Sequence, residues 1–342
     1  MTGNLRWAWK REHDKIYPAI QTSAIYSPLR CRYGITQSES LFMYNLRLLR
    51  YVDAVARSGS IRKAAEQLNV VSSAVNRRIL DIEDEIGTAL FERRPRGVRL
   101  TAAGELFIAY ARKQIADSER MLSEIEDLQS VRRGEVRIAA IEGMAAEFLP
   151  RTIEAFQQRH PKIRFRVYIC GRGDIHTRLK EFEADIGLVF NPPADAEIRP
   201  LLEVEQRLCA FVAPDHPLAA RESVRLSDCI AYPLAVPDTS LGGRALLDEF
   251  LARRSLRLEP ALESNSFEMM RNFAIKSGGV CFQIQSGMPP AHLPGGMHAL
   301  PLSDRGLRRG RLTLCMEHSR SLPVATARFA EYLKQRLREE TS

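Results

Sequence analysis

The chain has 342 residues, of which 45% are hydrophobic and 27% are charged, and its net charge is +8. This composition excludes a collagen-like or largely disordered chain and provides apolar material for two or three domains. Residues 1–110 carry +6 of the net charge, so nucleic acid is expected to bind in the first third. The longest run without Asp, Glu, Lys or Arg, residues 277–303, contains four prolines and five glycines, which excludes a membrane helix there.

The six cysteines are scattered, and no Cys or His cluster has the spacing of metal ligands. We therefore expect reduced thiols in a cytoplasmic protein, with no metal and no cofactor; a redox-sensing pair is the less favoured alternative. No charged-then-apolar signal peptide opens the chain. Residues 1–42 show no sustained hydrophobic periodicity. We therefore predict either a largely disordered extension or a translation start assigned upstream of the true start, for which Met43 is the candidate.

The next residues predict three helices. Asn45–Arg57 has an apolar face and ends at Ser58-Gly59. Ser60 is placed to cap a helix at 61–68, and Ser72 to cap a second helix that ends at Gly87. An apolar stripe at helical spacing predicts the buried face of that second helix: Val75, Ile79, Ile82 and Ile86. Two short helices joined by a tight turn are typical of a helix-turn-helix.

The opposite face of the second helix and the segment after it are polar and cationic. The face consists of Ser72, Ser73, Asn76, Arg77 and Arg78. Short strand-like pieces around Pro95-Arg96-Gly97 predict a β-hairpin wing that carries Arg93, Arg94 and Arg96. We expect these residues to contact DNA, the helix in the major groove and the wing at phosphates. The alternatives are a solvated face, on which Arg77 pairs with Asp81, and a solvated arginine loop.

Thr101 is predicted to cap a long helix over 102–130, which would span roughly 43 Å at 1.5 Å per residue. Ile115, Leu122 and Ile125 lie on a short, imperfect heptad seam, which favours a dimer contact. Arg132-Arg133-Gly134 is the expected linker after it.

From Glu135 onward, apolar strands alternate with amphipathic helices, which predicts a mostly parallel sheet covered by helices. The predicted strands include Gln206–Val212, Arg257–Leu262 and Val280–Ile284. In such a fold, the loops after parallel strands lie at helix N-termini and face a ligand cleft. The residues expected to bind a ligand in those loops are Gly143, Met144, Arg172, Thr239 and Ser240.

Helix ends and hydroxyl groups in these loops favour a carboxylate or another anion. Glu142, Asp174 and Asp238 lie nearby and argue against an anion, so the charge of the ligand stays open. Thr239 and Ser240 are equally well explained as ordinary helix caps. No Ser-His-Asp order and no paired-carboxylate motif indicates catalysis.

At this point the segments GSIRKAAEQL, AVNRRI, IEDEIGTALFER and RGVRLTAAGE together resemble the N-terminal domain of LysR-type transcriptional regulators. GEVRIAA, HPKIRFRV, ADIGLVF and APDHPLA resemble the effector domain of that family, so the resemblance covers about 43–320. It implies an α/β protein with an N-terminal winged helix-turn-helix, a long linker helix and a two-lobed effector domain like the type 2 periplasmic binding proteins. It also implies crossover strands near Glu203–Cys209 and Leu258–Ser264.

The predicted organisation is therefore an extension at 1–42, a DNA-binding domain at 43–101, a linker helix at 102–134 and an effector domain at 135–342. One departure from the family is that Val71, Ser72 and Ser73 replace the common Ser-Gln-Pro. The base-reading Gln is thereby lost, while Asn76 offers an amide for a base edge. The resemblance favours Arg77 in contact with DNA.

We interpret the chain as a cytoplasmic, non-enzymatic regulator that binds double-stranded promoter DNA. A small-molecule effector is expected between the lobes, and a homodimer or homotetramer is the expected assembly; no membrane partner is expected. The alternatives are an architectural DNA-binding protein without an effector, and a solute-binding protein or enzyme on the same two-lobed fold.

Overall fold

The structure is a computed structural model that describes residues 45–128, 134–254, 257–284 and 296–340. The predicted extension at 1–42 and the linker residues Arg132 and Arg133 lie outside these ranges. The chain divides into two compact units, Met1–Ala111 and Arg112–Ser342. Helix α4 contributes residues to both units.

The first unit begins with three helices, whose ends follow the local sequence signals. Helix α1 is Leu46–Ser58, α2 is Ile61–Gln67 and α3 is Ser72–Ile86. The predicted caps are confirmed at two points: the Ser60 hydroxyl accepts the N–H of Lys63, and Gly87 ends α3 in the left-handed conformation.

The predicted cap of α3 is wrong, because the helix begins one residue earlier than expected. Ser72 lies inside the helix, and its N-cap is Val71, which offers no side-chain acceptor. The predicted apolar stripe of α3 is otherwise confirmed. Val75, Ile79 and Ile82 are buried, and Ile86 is half-buried at the helix end.

A two-stranded wing follows α3, and the carboxylate of Glu83 holds its first strand. Strand β1 is Phe91–Arg94 and β2 is Gly97–Leu100, so a two-residue turn connects them. Glu83 Oε1 accepts the N–H groups of Leu90 at 2.7 Å and Phe91 at 3.0 Å. The wing is therefore hydrogen-bonded to the last turns of α3.

Helix α4, Ala102–Leu128, follows the wing. Thr101 caps it as predicted, because its hydroxyl accepts the N–H of Gly104 at 3.0 Å. Met121, Leu122 and Ile125 are 50%, 53% and 44% exposed on this helix, whereas Ile115 is half-buried. Exposed apolar side chains at this spacing form a candidate contact surface.

The second unit contains two lobes, each built on a five-stranded sheet. The lobe I strands are β3 Gly134–Ala140, β4 Ile163–Ile169, β5 Ile186–Phe190, β6 Ile198–Gln206 and β12 Gly310–Glu317. The lobe II strands are β7 Leu208–Val212, β8 Leu234–Pro237, β9 Leu262–Ser264, β10 Val280–Ile284 and β11 His298–Pro301. The strand order is β4-β3-β5-β12-β6 in lobe I and β11-β7-β10-β8-β9 in lobe II.

Helices pack on both sheets. Those of lobe I are α5 Phe148–Arg159, α6 Arg172–Lys180 and α10 Val324–Glu339, and a 3-10 turn at Glu142–Met144 follows β3. Those of lobe II are α7 Leu226–Cys229, α8 Gly242–Leu251 and α9 Phe267–Ser277. The α/β fold class is confirmed, but the mostly parallel sheet is not. In each lobe, two strand pairs are parallel and two are antiparallel.

The chain passes between the lobes at two points, of which the sequence located one. The first is at Arg207, between β6 and β7, within the predicted segment. The second lies between β11 and β12, in residues 302–309, so the prediction near Leu258–Ser264 is wrong. The segment at 262–264 is instead the edge strand β9 of lobe II, because it pairs with β8.

Lobe I contains a buried charged cluster centred on Asp185, which is 1% exposed. Its carboxylate accepts the backbone N–H of Arg137 at 2.9 Å, the guanidinium of Arg137 at 2.8 Å and that of Arg320. The hydroxyl of Thr326 on α10 donates to it at 3.3 Å. Arg137 also pairs with Glu119 on α4 at 3.5 Å. The buried charge of Asp185 therefore links β3, through Arg137, to α10, through Thr326. Arg137 in turn connects this cluster to Glu119 on α4.

Candidate DNA-binding surface and inter-lobe cavity

The outer face of α3 presents the polar residues that the sequence singled out. Ser72, Ser73, Arg77 and Arg78 are exposed, and Asn76 is half-buried. Asp81 pairs with Arg78 at 3.4 Å. The alternative in which Asp81 pairs with Arg77 is therefore wrong. The side chain of Arg77 makes no hydrogen bond or ion pair with the residues that the structure describes. Its charge is therefore available to a phosphate.

The wing contributes its arginines to the same surface of the first unit. Arg93 donates from Nη2 to Oδ1 of Asn76 at 2.7 Å, which joins β1 to the first half of α3. Arg94 pairs with Glu92 at 3.2 Å, and Arg96 is exposed in the hairpin turn. Helix and wing thus form one cationic surface that offers an amide, two hydroxyls and guanidinium groups. These are the groups that bind base edges and phosphates.

A small cavity lies between the two lobes, with a volume of ≈ 20 Å³, which is room for about one water molecule. Lobe I contributes Ile141, Arg172 and Phe190. Lobe II contributes the start of α8, residues 240–243, and four further side chains: Phe267, Phe282, Gln283 and Ile284. The lining is mainly apolar and aromatic with few polar groups, as in ligand sites generally.

The structure brings together two of the predicted effector residues, Arg172 and Ser240, at this cavity. Gly143 lies beside it, since a Cβ there would be 3.2 Å from Nε2 of Gln283. Met144 is 1% exposed and belongs to the core, and Thr239 is exposed and does not line the cavity. The hydroxyl of Ser240 donates to Asp238 at 2.6 Å, which is a local turn contact.

Two features of the cavity were missed by the sequence. The first is Gln283, which is 6% exposed and whose Oε1 has no hydrogen-bond partner among the described residues. It is the single polar side chain of β10, whose other residues are apolar, and that irregularity was the available signal. An unpaired buried amide oxygen is costly, so a donor is expected to fill the position when the site is occupied.

The second missed feature is the start of α8. Gly242 and Gly243 are buried and line the cavity, and no side chain caps the helix. No acceptor for their N–H groups lies among the described residues. A Cβ on Gly242 would meet the carbonyl oxygen of Phe190 at 2.6 Å, so glycine is required where lobe II approaches lobe I. Together with Arg172, these N–H groups give the cavity a positive side.

The residue Glu142, predicted only as a carboxylate near the ligand, has a defined position. Its Oε2 accepts the N–H of Phe267 at 2.9 Å. Its Oε1 accepts the N–H of Glu268 at 3.2 Å and the hydroxyl of Ser266 at 3.1 Å. Ser266 is the N-cap of α9, so a lobe I carboxylate occupies the N-terminus of a lobe II helix.

Within the described ranges, no group of three or more His, Cys, Asp or Glu side chains is arranged to hold a metal ion. No described helix is long and apolar enough to cross a membrane.

A winged helix-turn-helix with a cationic face, followed by a two-lobed α/β domain with a cavity between its lobes, defines a DNA-binding regulator with an effector domain. Two family models match the chain. "Bacterial regulatory helix-turn-helix protein, lysR family" matches residues 46–105, and "LysR substrate binding domain" matches residues 129–338. The chain belongs to the LysR family of transcriptional regulators, and it is not an enzyme.

Related proteins agree with this assignment. The RuBisCO operon transcriptional regulator of Allochromatium vinosum is 33% identical over 233 residues, which cover 68% of this chain and 75% of that protein. The HTH-type transcriptional regulator CbbR of Sinorhizobium medicae is 30% identical over 286 residues, covering 83% and 90%.

Solved structures show the same fold. Full-length OxyR of Pseudomonas aeruginosa, a variant protein, superposes with a TM-score of 0.65 at 21% identity, covering 86% of this chain and 95% of that one. CbnR, a LysR family transcriptional regulator, superposes with a TM-score of 0.58 at 16% identity, covering 87% and 100%.

Proposed function

We propose that this regulator reads promoter DNA with α3 and the wing, and that a small ligand with an anionic group, bound between the lobes, changes its hold on the DNA. The observation that carries the ligand proposal is the inter-lobe cavity, which joins Arg172, the open start of α8 and the unpaired Oε1 of Gln283. A ligand larger than one water molecule requires the lobes to separate before it enters. The cytoplasm, where promoter DNA lies, is the proposed location.

Ligand chemistry follows from the groups that have no partner within the described residues. Arg172 and the N–H groups of Gly242 and Gly243 favour one carboxylate or a similar anion. Gln283 favours a hydroxyl or N–H donor on the same molecule. The rings of Phe190, Phe267 and Phe282 favour an apolar body. A small, largely apolar carboxylate with one hydrogen-bond donor fits these requirements.

On the DNA side, we assign contacts to Ser72, Ser73, Asn76, Arg77, Arg78, Arg93, Arg94 and Arg96. Exposure of the α3 face and the pairing of Arg93 with Asn76 support this surface. Dimerisation through α4 is proposed from the exposed apolar side chains at 121, 122 and 125. A second protomer would bury them and would present a second reading helix to a second half-site.

Relatives of similar identity are named for different processes, so the genes under the control of this chain require a direct test. The Allochromatium vinosum protein is named for the RuBisCO operon, and a relative from Synechococcus elongatus is named for nitrogen assimilation. Footprinting on genomic DNA would identify the operators of this chain directly.

The test of the ligand proposal is a thermal-shift screen of small carboxylates, followed by operator binding with each stabilising compound. Ser240→Asp places a negative charge at the cavity and is expected to abolish the thermal shift and the DNA response, with basal DNA binding intact. Asn272→Asp, on an exposed position of α9, is the matched charge control and should respond as the wild type does.

If Ser240→Asp responds with an unchanged midpoint, the pocket lies elsewhere. If no compound stabilises the wild type and operator binding responds to none, the architectural DNA-binding alternative is favoured.

A further inference from the structure

Two helices of lobe II, α8 and α9, begin at the inter-lobe cleft, and they differ in whether their first backbone N–H groups are hydrogen-bonded. The first two N–H groups of α8 have no acceptor among the described residues. Those of α9 are both bonded to the carboxylate of Glu142, and the third, from Met269, is bonded to the Ser266 hydroxyl at 3.3 Å. One helix end is open to a ligand and the other is filled by the chain itself.

The carboxylate of Glu142 binds the N-terminus of α9 as a separate anion would. Both carboxylate oxygens accept hydrogen bonds, and three donors surround them: two backbone N–H groups and one hydroxyl. A helix N-terminus carries a partial positive charge that favours such an anion. Glu142 belongs to the 3-10 turn after β3, in the other lobe and 124 residues before Ser266 in the chain. The carboxylate therefore reaches α9 from across the cleft.

A second, independent feature marks the same place as a ligand position. Phe267, the first residue of α9, lines the inter-lobe cavity together with Gln283. Gln283 is 6% exposed, and its Oε1 is unpaired within the described residues. Gly143, next to Glu142, approaches both of them, since its hypothetical Cβ would be 3.2 Å from Nε2 of Gln283 and 3.9 Å from Phe267. The Glu142 turn thus borders the cavity at a point where a buried polar group still lacks a partner.

We propose that Glu142 is a specificity-determining residue, which fills the α9 anion site from within the chain and restricts the cleft to ligands with a single anionic group. This inference rests on the proposed ligand-binding function of the cleft. A ligand with one carboxylate uses Arg172 and the start of α8. A second anionic group on the ligand finds the α9 end already occupied and meets the negative charge of Glu142.

The experiment uses the full-length protein and compares Glu142→Ala and Glu142→Gln with the wild type. The matched control is Glu268→Ala, which removes an exposed carboxylate from the first turn of α9; that carboxylate accepts no hydrogen bond from the described residues. The first probe is sulfate, titrated at constant ionic strength against chloride and followed by thermal stability. We expect Glu142→Ala, which empties the site, to bind sulfate at least tenfold more tightly than the wild type and Glu268→Ala. Glu142→Gln should also bind sulfate more tightly than both, because an anion displaces a neutral amide from the helix N–H groups more easily than a carboxylate.

The second probe pair is butyrate and succinate, which have the same carbon count and differ in one carboxylate. The wild type is expected to bind butyrate in preference to succinate, and Glu142→Ala is expected to shift that ratio toward succinate by at least tenfold. Unchanged sulfate affinity in the Glu142 variants, or an equal gain in Glu268→Ala, would overturn the proposal. Should Glu142→Ala fail to fold by circular dichroism, Glu142→Gln, which keeps the side-chain volume, decides the outcome.

Failure of this proposal is distinguishable from failure of the effector proposal. If sulfate affinity rises in the Glu142 variants but no carboxylate binds the wild type, Glu142 occupies the α9 anion site as proposed and the effector proposal fails, and with it the role of Glu142 in ligand specificity. If the wild type binds a carboxylate that Ser240→Asp rejects while the Glu142 variants gain no anion affinity, the effector proposal stands and this one fails.

Discussion

Removing the buried charge of Asp185 is expected to destabilise the second unit more than removal of any exposed carboxylate. Asp185→Ala leaves the guanidinium of Arg320, which is 5% exposed, without its anionic partner. It also removes the acceptor of the Arg137 N–H and of the Thr326 hydroxyl. Breaking one partner of a buried ion pair costs about 3–5 kcal/mol, because the remaining charge stays buried and uncompensated.

For a unit of this size, 1 kcal/mol corresponds to roughly 2–4 °C in melting temperature, so we expect a decrease of about 6–20 °C. Calorimetry or far-UV circular dichroism is the suitable assay, because the second unit, residues 112–342, contains no tryptophan whose fluorescence could report its unfolding. Glu331→Ala is the matched control: its carboxylate is exposed and pairs with Lys334 at 2.7 Å, which is worth at most about 1 kcal/mol.

A decrease of less than about 1 kcal/mol for Asp185→Ala would refute the reasoning, since it would mean that Arg320 is solvated or differently paired in solution. A double variant sharpens the test. Adding Arg320→Met to Asp185→Ala removes the unpaired buried charge. The double variant should therefore lose less free energy of unfolding than the two single variants lose in sum.

Three further predictions concern other parts of the chain. Burial raises the pKa of Cys281 and Cys315 to about 12, so iodoacetamide should alkylate both far more slowly in the native protein than after unfolding. Because these pKa values lie above that of an unfolded thiol, about 8.5, the free energy of unfolding should fall as the pH rises from that value toward 12. Gly97→Ala should weaken operator binding, since its Cβ would lie 2.2 Å from the carbonyl oxygen of the α1 C-cap at a φ of +133°; a full-affinity variant would contradict this. Leu122→Asp with Ile125→Asp should give monomers by sedimentation, whereas Lys113→Asp on the same helix should not; an unchanged oligomer would move the interface away from α4.

The sequence predicted best those elements whose signals are local. The three N-terminal helices, the Ser60 and Thr101 caps and the Gly87 terminus depend on residues within one or two turns of each other. Strand β6 shows the opposite case. It contains Pro200 and outward-facing glutamates, and it forms a strand because β12, more than a hundred residues later, pairs with it at the sheet edge. Such long-range pairing leaves no periodic signal in the segment itself.

The residues of the candidate cavity show the same difference between local signals and long-range ones. The rule that helix N-termini follow strands predicted Arg172 and Ser240 at the cleft, and both residues line the cavity; the rule depends only on strand–helix order. It could not identify Gln283 or the glycines at the start of α8, whose importance comes from the approach of the other lobe. It also treated Glu142 as a repelling charge near the ligand, whereas the fold gives that carboxylate three donors from lobe II.

The pairing of Arg93 with Asn76 leads to a last prediction about how the operator is read. Arg93 donates to Oδ1 of Asn76 at 2.7 Å, so it fixes the oxygen end of the amide, and the proposed contact with a base edge would use the Nδ2 donors. Arg93→Ala should therefore relax base preference as Asn76→Ala is expected to do, and should also reduce the log–log salt slope by roughly 0.9 if the guanidinium reaches a phosphate.

Arg96→Ala, in the hairpin turn without a partner among the described residues, is the control. It should reduce the slope similarly while leaving the preferred sequence intact. Selection of binding sites from random DNA, repeated at several salt concentrations, measures both quantities. If Arg93→Ala retains the wild-type base preference, the amide is held by the groove alone and the wing does not take part in reading sequence.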